Sequence, residues 1–284
     1  DVSKSIDESD SALSLSMTGT LTATDVDNAD NTFTATADGG IVGDLGTFTI
    51  DAGGVWTFTA NSAFNELAAG TSLTEDFTVT SVDTTSATVT ITINGTNDTP
   101  TITSNAQTGS LTEDSSITQA SGQVQASDAE GSALNYTIDG TDAVAGVTTV
   151  AGTYGSITLN QSTGNWTYTL DSTKAATQAL GKDATPTETF TVKASDGTAT
   201  VTQDIVVTVN GTNDAPVLAN NTITIDEGAT LAITADNISA TDVESDALTF
   251  TVSDVIGGQF ESTTDAGTAI TSFTAANIAA STVQ

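Results

Sequence analysis

The residues of this chain whose types and spacing could do chemistry are carboxylates, and they return at matched places. A Glu ends an opening segment three times (Glu8, Glu113, Glu227), and an acid-x-acid pair follows the next strand-like run each time: Asp25-Val-Asp27, Asp128-Ala-Glu130 and Asp242-Val-Glu244. Asp83 and Asp196 stand ahead of a later run in the first two stretches. In extended backbone, side chains two residues apart point the same way, so each pair sets two carboxylates side by side. Like charges that close repel, and a hard cation taking roughly six to eight oxygens at about 2.3–2.6 Å relieves them. The expected chemistry is the binding of a hard cation. One isolated Asp-x-Asp reads as a solvated turn; recurrence beside a repeated Asn-Asp-x-Pro favours ligation.

That repeated segment orders the rest of the chain. Asn94-Gly-Thr-Asn97-Asp98-Thr-Pro100 comes back 116 residues later as Asn210-Gly-Thr-Asn213-Asp214-Ala-Pro216. Such a period is one domain long, so a tandem array is expected and not one large enzyme fold. Each copy follows an alternating run, Val89 to Ile93 and Val207 to Val209. Gly ends the strand, Asn and Asp supply turn-forming oxygens, and Pro forbids continuation of the ladder.

Short alternating runs at 13–24, 32–37, 47–50, 55–60, 77–82 and 87–93, separated by Gly, Asn and Asp, predict an all-β sandwich or barrel in the first repeat. A helical turn is expected only at 63–70 and at its counterpart 176–181. Trp56 and Trp166 lie on equivalent runs and read as core. The glycine-rich segment from Asp38 to Asp44 reads as a hairpin loop. The third stretch holds runs at 222–225, 231–234 and 247–253 and a turn at 273–278 with Thr274 as N-cap. It lacks a counterpart of the final two strands, so both ends of the chain read as cuts within a longer array. The expected domains are 1–98, 99–214 and 215–284.

Composition removes several functions. Of the 284 residues 36 are acidic and 4 basic, a net charge of -32, which excludes a nucleic-acid or anionic-membrane surface of the usual basic kind. There is no Cys, hence neither disulfide nor thiolate metal site, and no His. No apolar run is long enough to insert in a membrane. A carboxylate pair of the glycosidase type is all that remains for catalysis. These acids sit at turns beside linkers, so a non-enzyme is expected.

At its repeat ends the chain resembles a family. Lys193-Ala-Ser-Asp196-Gly197, a strand, and then Asn213-Asp214-Ala-Pro216 look like the end of a cadherin-type repeat. The Asn-Gly-Thr-Asn-Asp-x-Pro ending and the Leu67-Ala-Ala-Gly70 and Asp76-Phe-Thr-Val-Thr80 segments resemble the VCBS repeats of giant bacterial surface adhesins; the third stretch resembles the bacterial cadherin-like repeats beside them. The resemblance implies tandem Greek-key β-sandwiches in an elongated array with Ca²⁺ between neighbours. Carried over residue by residue, it implies a first junction of Glu8, Asn97, Asp98, Asp128, Glu130 and Asp196. The second would use Glu113, Asn213, Asp214, Asp242 and Glu244. Asn97 and Asn213 would contribute through the side chain or the backbone oxygen. Asp25, Asp27 and Asp83 would face a preceding domain.

The chain departs from the cadherin pattern. Thr99 or Ala215 stands where a second linker Asn belongs, and no Leu-Asp-Arg-Glu stretch occurs, leaving Glu66, Glu75 and Glu188 as loose substitutes. Fewer ligands imply fewer ions per junction, with affinities of roughly 10⁻⁴ to 10⁻³ M. The function implied is an extender of a secreted, cell-surface bacterial adhesin, its partners calcium ions and neighbouring repeats. The alternative is an extracellular filament or surface layer in which like chains donate strands to one another.

Overall fold

The computed structural model describes residues 1–9, 15–26, 31–141 and 146–284. Asp27 lies outside the described residues. In the first repeat, strands Val2–Asp7, Ser86–Asn94 and Ser72–Thr80 form one sheet; Ser16–Thr20, Val55–Ala60, Gly46–Ile50 and Ile41–Val42 form a second. Period-two alternation turns one face of each inward: Trp56, Phe58 and Ala60 from one strand meet Val89, Ile91 and Ile93 from another. Phe48 stacks on both Trp56 (5.6 Å between centroids) and Phe77 (4.9 Å).

The second repeat has the same plan. Asn135–Ile138, Thr187–Ser195, Thr200–Asn210 and Gln107–Thr112 make one sheet, and Gln119–Gln123, Asn165–Leu170, Gly155–Asn160 and Val147–Ala151 the other. The chain is thus an all-β tandem of Greek-key sandwiches. Each of these two repeats buries sixteen described residues in its core, whereas the third buries four: Ile233, Phe273, Ile278 and Val283.

Two features of register place the acids. The first strand runs parallel to the last, pairing Asp7 with Asn94 and Thr112 with Asn210, so Glu8 and Glu113 emerge where the linker begins. Just past each linker a short strand pairs antiparallel with the strand ahead of the acid-x-acid pair. Thr101 faces Ser127, and Val217 faces Thr241, which brings Asp128 and Asp242 back to the linker.

Several expectations need correction. Residues 32–37 form no strand; Phe33 bridges to Ser81, Thr34 N–H donates to the Thr80 carbonyl and Thr36 N–H to that of Ile50, so the segment spans both sheets. No helix forms at 63–70, because Phe64 takes a left-handed φ of 61° that buries its ring and breaks helical continuity. Its counterpart is helical over Ala175–Gln178. Residues 222–225 and 231–234 form no strands. In repeats one and two the equivalent opening segment is held by the last strand, and no such strand lies beside 222–225 among the described residues. Thr274 does cap the helix Ala275–Ala279, in a capping box with Asn277.

Glu75 and Glu188 prove to be turn straps. Glu75 accepts the N–H groups of Asp44 (2.6 Å) and Leu45 (2.9 Å), and Glu188 those of Thr153 and Tyr154 as well as the Tyr168 hydroxyl. A side chain at Gly43 or Gly152 would collide with the strapping carboxylate. Burial, with Glu188 beside it, pushes the Tyr168 hydroxyl pKa well up.

Both Trp rings are core, and Gly19 and Gly122 are bare because the indoles lie against them. Trp166 Nε1 donates to Gln107 Oε1 at 2.8 Å. The register puts Val2 at the equivalent place in repeat one, where buried Trp56 Nε1 has no acceptor. A buried N–H left unpaired costs about 1–3 kcal/mol. Val2→Gln should therefore stabilise the first repeat by about 1 kcal/mol, and Gln107→Val should destabilise the second by about 1–3 kcal/mol. Denaturant unfolding followed by Trp fluorescence, with one Trp in each of the two repeats, checks both signs.

Candidate functional site

The candidate site occurs twice, where one repeat hands over to the next. The bond pattern at the two linkers is the same. Thr96 N–H donates to Glu8 Oε1 at 2.9 Å, and Thr212 N–H to Glu113 Oε1 at 2.6 Å. Asn97 Nδ2 donates to the Asp98 carbonyl (2.8 Å), as Asn213 Nδ2 does to that of Asp214 (2.6 Å). Asp98 N–H donates to Glu130 Oε1 and Asp214 N–H to Glu244 Oε1, both at 2.7 Å. A carboxylate from the preceding repeat and one from the following repeat thus grip the same stretch of linker backbone.

Burial follows the same plan. Glu8 and Glu113 are 4% and 1% exposed and Asp98 is 4% exposed. Asp128, Glu130, Asp242 and Glu244 are half-buried while the middle residues Ala129 and Val243 are exposed, so each acid-x-acid pair points inward together. Asp128 Oδ1 accepts Ser132 N–H at 2.9 Å, and Asp242 Oδ1 accepts Asp246 N–H at 3.1 Å.

The junctions differ in their remaining acid. At the first, Asp196 sits in the turn between Thr187–Ser195 and Thr200–Asn210 and accepts Asn97 Nδ2 at 2.9 Å. Burial opposes its ionisation, but Asn97 and the N–H groups of Thr198 and Ala199 outweigh that and hold its pKa below the ordinary value. At the second, sequence reasoning missed Asp114, an exposed acid directly after Glu113 whose charge helps to raise the Asp214 pKa. Nothing in the repeat pattern signals it, since Ser9 and Gly228 stand at the equivalent positions. Asp25 and Asp83 lie together in the first repeat, lining a separate cleft with Leu21 and Phe33. Glu227 is exposed.

Charge is uncompensated here. Glu8 Oε2, Glu113 Oε2, Asp128 Oδ2, Glu130 Oε2, Asp214 Oδ2 and Glu244 Oε2 are buried and have no hydrogen-bond donor. Among the described residues no three of these carboxylates converge as a ready-made metal cage. One oxygen of Glu8, Glu113, Glu130 and Glu244 is committed to the backbone, and the other is what a ligand could use. An all-oxygen, anionic donor set with buried free oxygens fits a hard divalent cation such as Ca²⁺.

Comparison with known proteins agrees with the architecture. The profile of the bacterial cadherin-like domain matches residues 1–95 and 97–211, and that of a cadherin-like domain matches residues 216–284. No curated protein matches the chain. Similar solved structures include protocadherin gamma B7 extracellular cadherin domains 1-4 (14% identity, 96% of this chain and 64% of that one, TM-score 0.44). Others are Drosophila N-cadherin EC1-4 (14%, 89% and 61%, 0.36) and mouse Cadherin-23 EC22-24 (15%, 85% and 74%, 0.43). The chain spans less than two thirds of the protocadherin and N-cadherin structures.

The electrostatics fix a pH dependence. Burial raises the Glu113 pKa above 4.5, and Asp114, Asp214 and Glu244 add to the rise against the Thr212 hydrogen bond. Burial likewise raises Asp214 above 3.8, helped by Asp114, Glu244 and Asp242. A raised acid favours the folded state fully below its ordinary pKa, and that contribution is lost as pH rises through the raised value. In chelator, the second repeat should thus lose stability as pH climbs from about 4.5 through the raised range. Glu113→Gln should flatten the loss, as read from denaturation midpoints across pH. A wild-type stability that rises steadily over that window would contradict the sign.

Proposed function

Because the chain belongs to the bacterial cadherin-like domain family, we propose that it is a structural extender of a secreted, cell-surface adhesin whose interdomain hinges are stiffened by calcium. Its domains on this reading are 1–98, 99–214 and 215–284. The carrying observation is the pair of matched linkers, each gripped from both sides by carboxylates with buried oxygens that lack a donor. Glu8, Asn97, Asp98, Asp128, Glu130 and Asp196 would hold the first ion; Glu113, Asn213, Asp214, Asp242 and Glu244 would hold the second. Calcium, when bound, supplies the positive charge that neutralises these carboxylates.

Without that charge, the carboxylates of adjoining repeats repel across the linker and the hinge opens. With it, Glu8 and Glu113 stay locked on the linker N–H groups while Glu130 and Glu244 hold the next repeat in place. The sandwich cores are apolar and separate from the junctions, so each repeat keeps its fold in either state. The role is mechanical and non-catalytic: it holds a distant binding region away from the cell and supports adhesion or biofilm formation. The VCBS likeness supports the same role.

A second reading, assembly by strand donation, is favoured by one feature of repeat three. A groove of about 720 Å³ runs past Ile223, Ile225, Leu231, Val255 and Phe260, with Asp226, Glu227 and Glu261 also lining it, beside segment 222–225, which forms no strand. A strand from a second copy of the chain would fill it.

Small-angle X-ray scattering separates the two. On the extender reading, calcium lengthens and stiffens the particle at unchanged β content. Asp98→Ala with Asp214→Ala should abolish that response and leave the far-ultraviolet circular dichroism intact. Loss of all β structure in the double variant would refute the junction assignment. A mass that grows with protein concentration, indifferent to calcium, would favour strand donation.

A further inference from the structure

The strand Val147–Ala151 forms one edge of its sheet, and among the described residues no strand lies along its outer side. It pairs antiparallel with Gly155–Asn160 with no shift of register. Gln161 N–H donates to the Gly146 carbonyl and Gly152 N–H to that of Gly155, so the even-numbered residues make the bonds to this neighbour. Antiparallel ladders alternate, which turns the N–H and C=O groups of Val147, Thr149 and Ala151 outward. Among the described residues these groups meet no hydrogen-bond partner.

Proteins blunt such an edge with a Lys, a Pro, a bulge or a very short strand. The first repeat does so, since its equivalent strand is only Ile41–Val42. The edge of the second repeat is five residues long, Val-Thr-Thr-Val-Ala, with neither charge nor proline. It is also tied down at its end. Glu188 accepts the N–H groups of Thr153 and Tyr154 in the hairpin that follows, and Lys174 Nζ donates to the Gly152 carbonyl at 2.6 Å. The sheet face beside the edge is uncharged as well. Thr149, Thr158, Thr167 and Ser121 form a row across all four strands, and the rows on either side of it carry no charged side chain. In a chain of net charge -32, two copies repel wherever acids confront acids, and at this edge they do not. An antiparallel edge is also self-complementary, as a two-fold pair requires.

We propose that Val147–Ala151 pairs antiparallel with the same strand of a second copy of the chain, about a two-fold axis at Thr149. Val147 then faces the partner's Ala151, and Thr149 faces the partner's Thr149, each facing pair exchanging both N–H···O bonds. The two four-stranded sheets become one continuous sheet. No strand is donated, and the contact uses neither the groove of the third repeat nor the linker carboxylates, so it stands independently of both readings above. For an extender, it is a lateral cross-link between neighbouring chains.

Sedimentation equilibrium of the full chain over a range of protein concentrations tests this. A monomer–dimer equilibrium is expected, equal in calcium and in chelator and lost on dilution. Because Thr149 faces its own copy, a charge of either sign there confronts itself. Thr149→Asp and Thr149→Lys should each weaken the dimer by at least about tenfold, with unchanged β content by circular dichroism. Thr149→Lys discriminates, since it lowers the net negative charge and would strengthen any contact governed by general repulsion. With no cysteine in the wild type, Thr149→Cys should form a disulfide-linked dimer on mild oxidation, because facing Cα atoms in such a pair lie about 5.5 Å apart. Val42→Cys, at a site 77% exposed in the first repeat, should cross-link far less. A chain that stays monomeric, a dimer that Thr149→Lys leaves intact or strengthens, or equal cross-linking of the two cysteine variants overturns the proposal.

Discussion

Glu8 and Glu113 are buried carboxylates held against linker backbone, and the rest of each junction depends on them. A carboxylate taken out of water costs several kcal/mol unless it is hydrogen-bonded and met by opposite charge. One oxygen of each is satisfied by Thr96 or Thr212, and the other is not. The parallel pairing of first and last strands fixes this position, because it ends both strands at the linker.

Stability and mechanics are therefore assigned to different residues. Within a repeat, alternating apolar side chains from two sheets build a core that needs no charge, and the turn straps Glu75 and Glu188 close its edges. Between repeats almost nothing apolar is required. The contact is made of backbone N–H groups, amides and carboxylates, whose net attraction or repulsion would, on the proposed reading, depend on the cation supply. On that reading the junction would change stiffness with no change in the beads it connects.

The fold and the linkers were legible because they repeat. Alternation at Trp56, Phe58, Ile91 and Ile93 announces buried strand faces, and a segment returning after 116 residues announces the linker. Where the sequence misled, a local choice depended on tertiary neighbours. Phe64 trades helical continuity for burial, and residues 32–37 alternate like a strand yet bridge two sheets. Glu75 and Glu188 resemble spare ligands until the Gly43 and Gly152 turns are seen folded against them. Asp114 could not be found by recurrence, since it occurs in one repeat only. Its signal was weaker: an acid directly after a repeated Glu.

The central claim is that calcium fixes the angle between repeats without changing the repeats. The chain has no cysteine, so spin labels on Val42→Cys and Val147→Cys, at sites 77% and 63% exposed in the wild type, would report one interdomain distance. Pulsed electron–electron resonance should give a narrow distance distribution in calcium and a broad one in chelator. Equal widths in both conditions would contradict a calcium-set hinge.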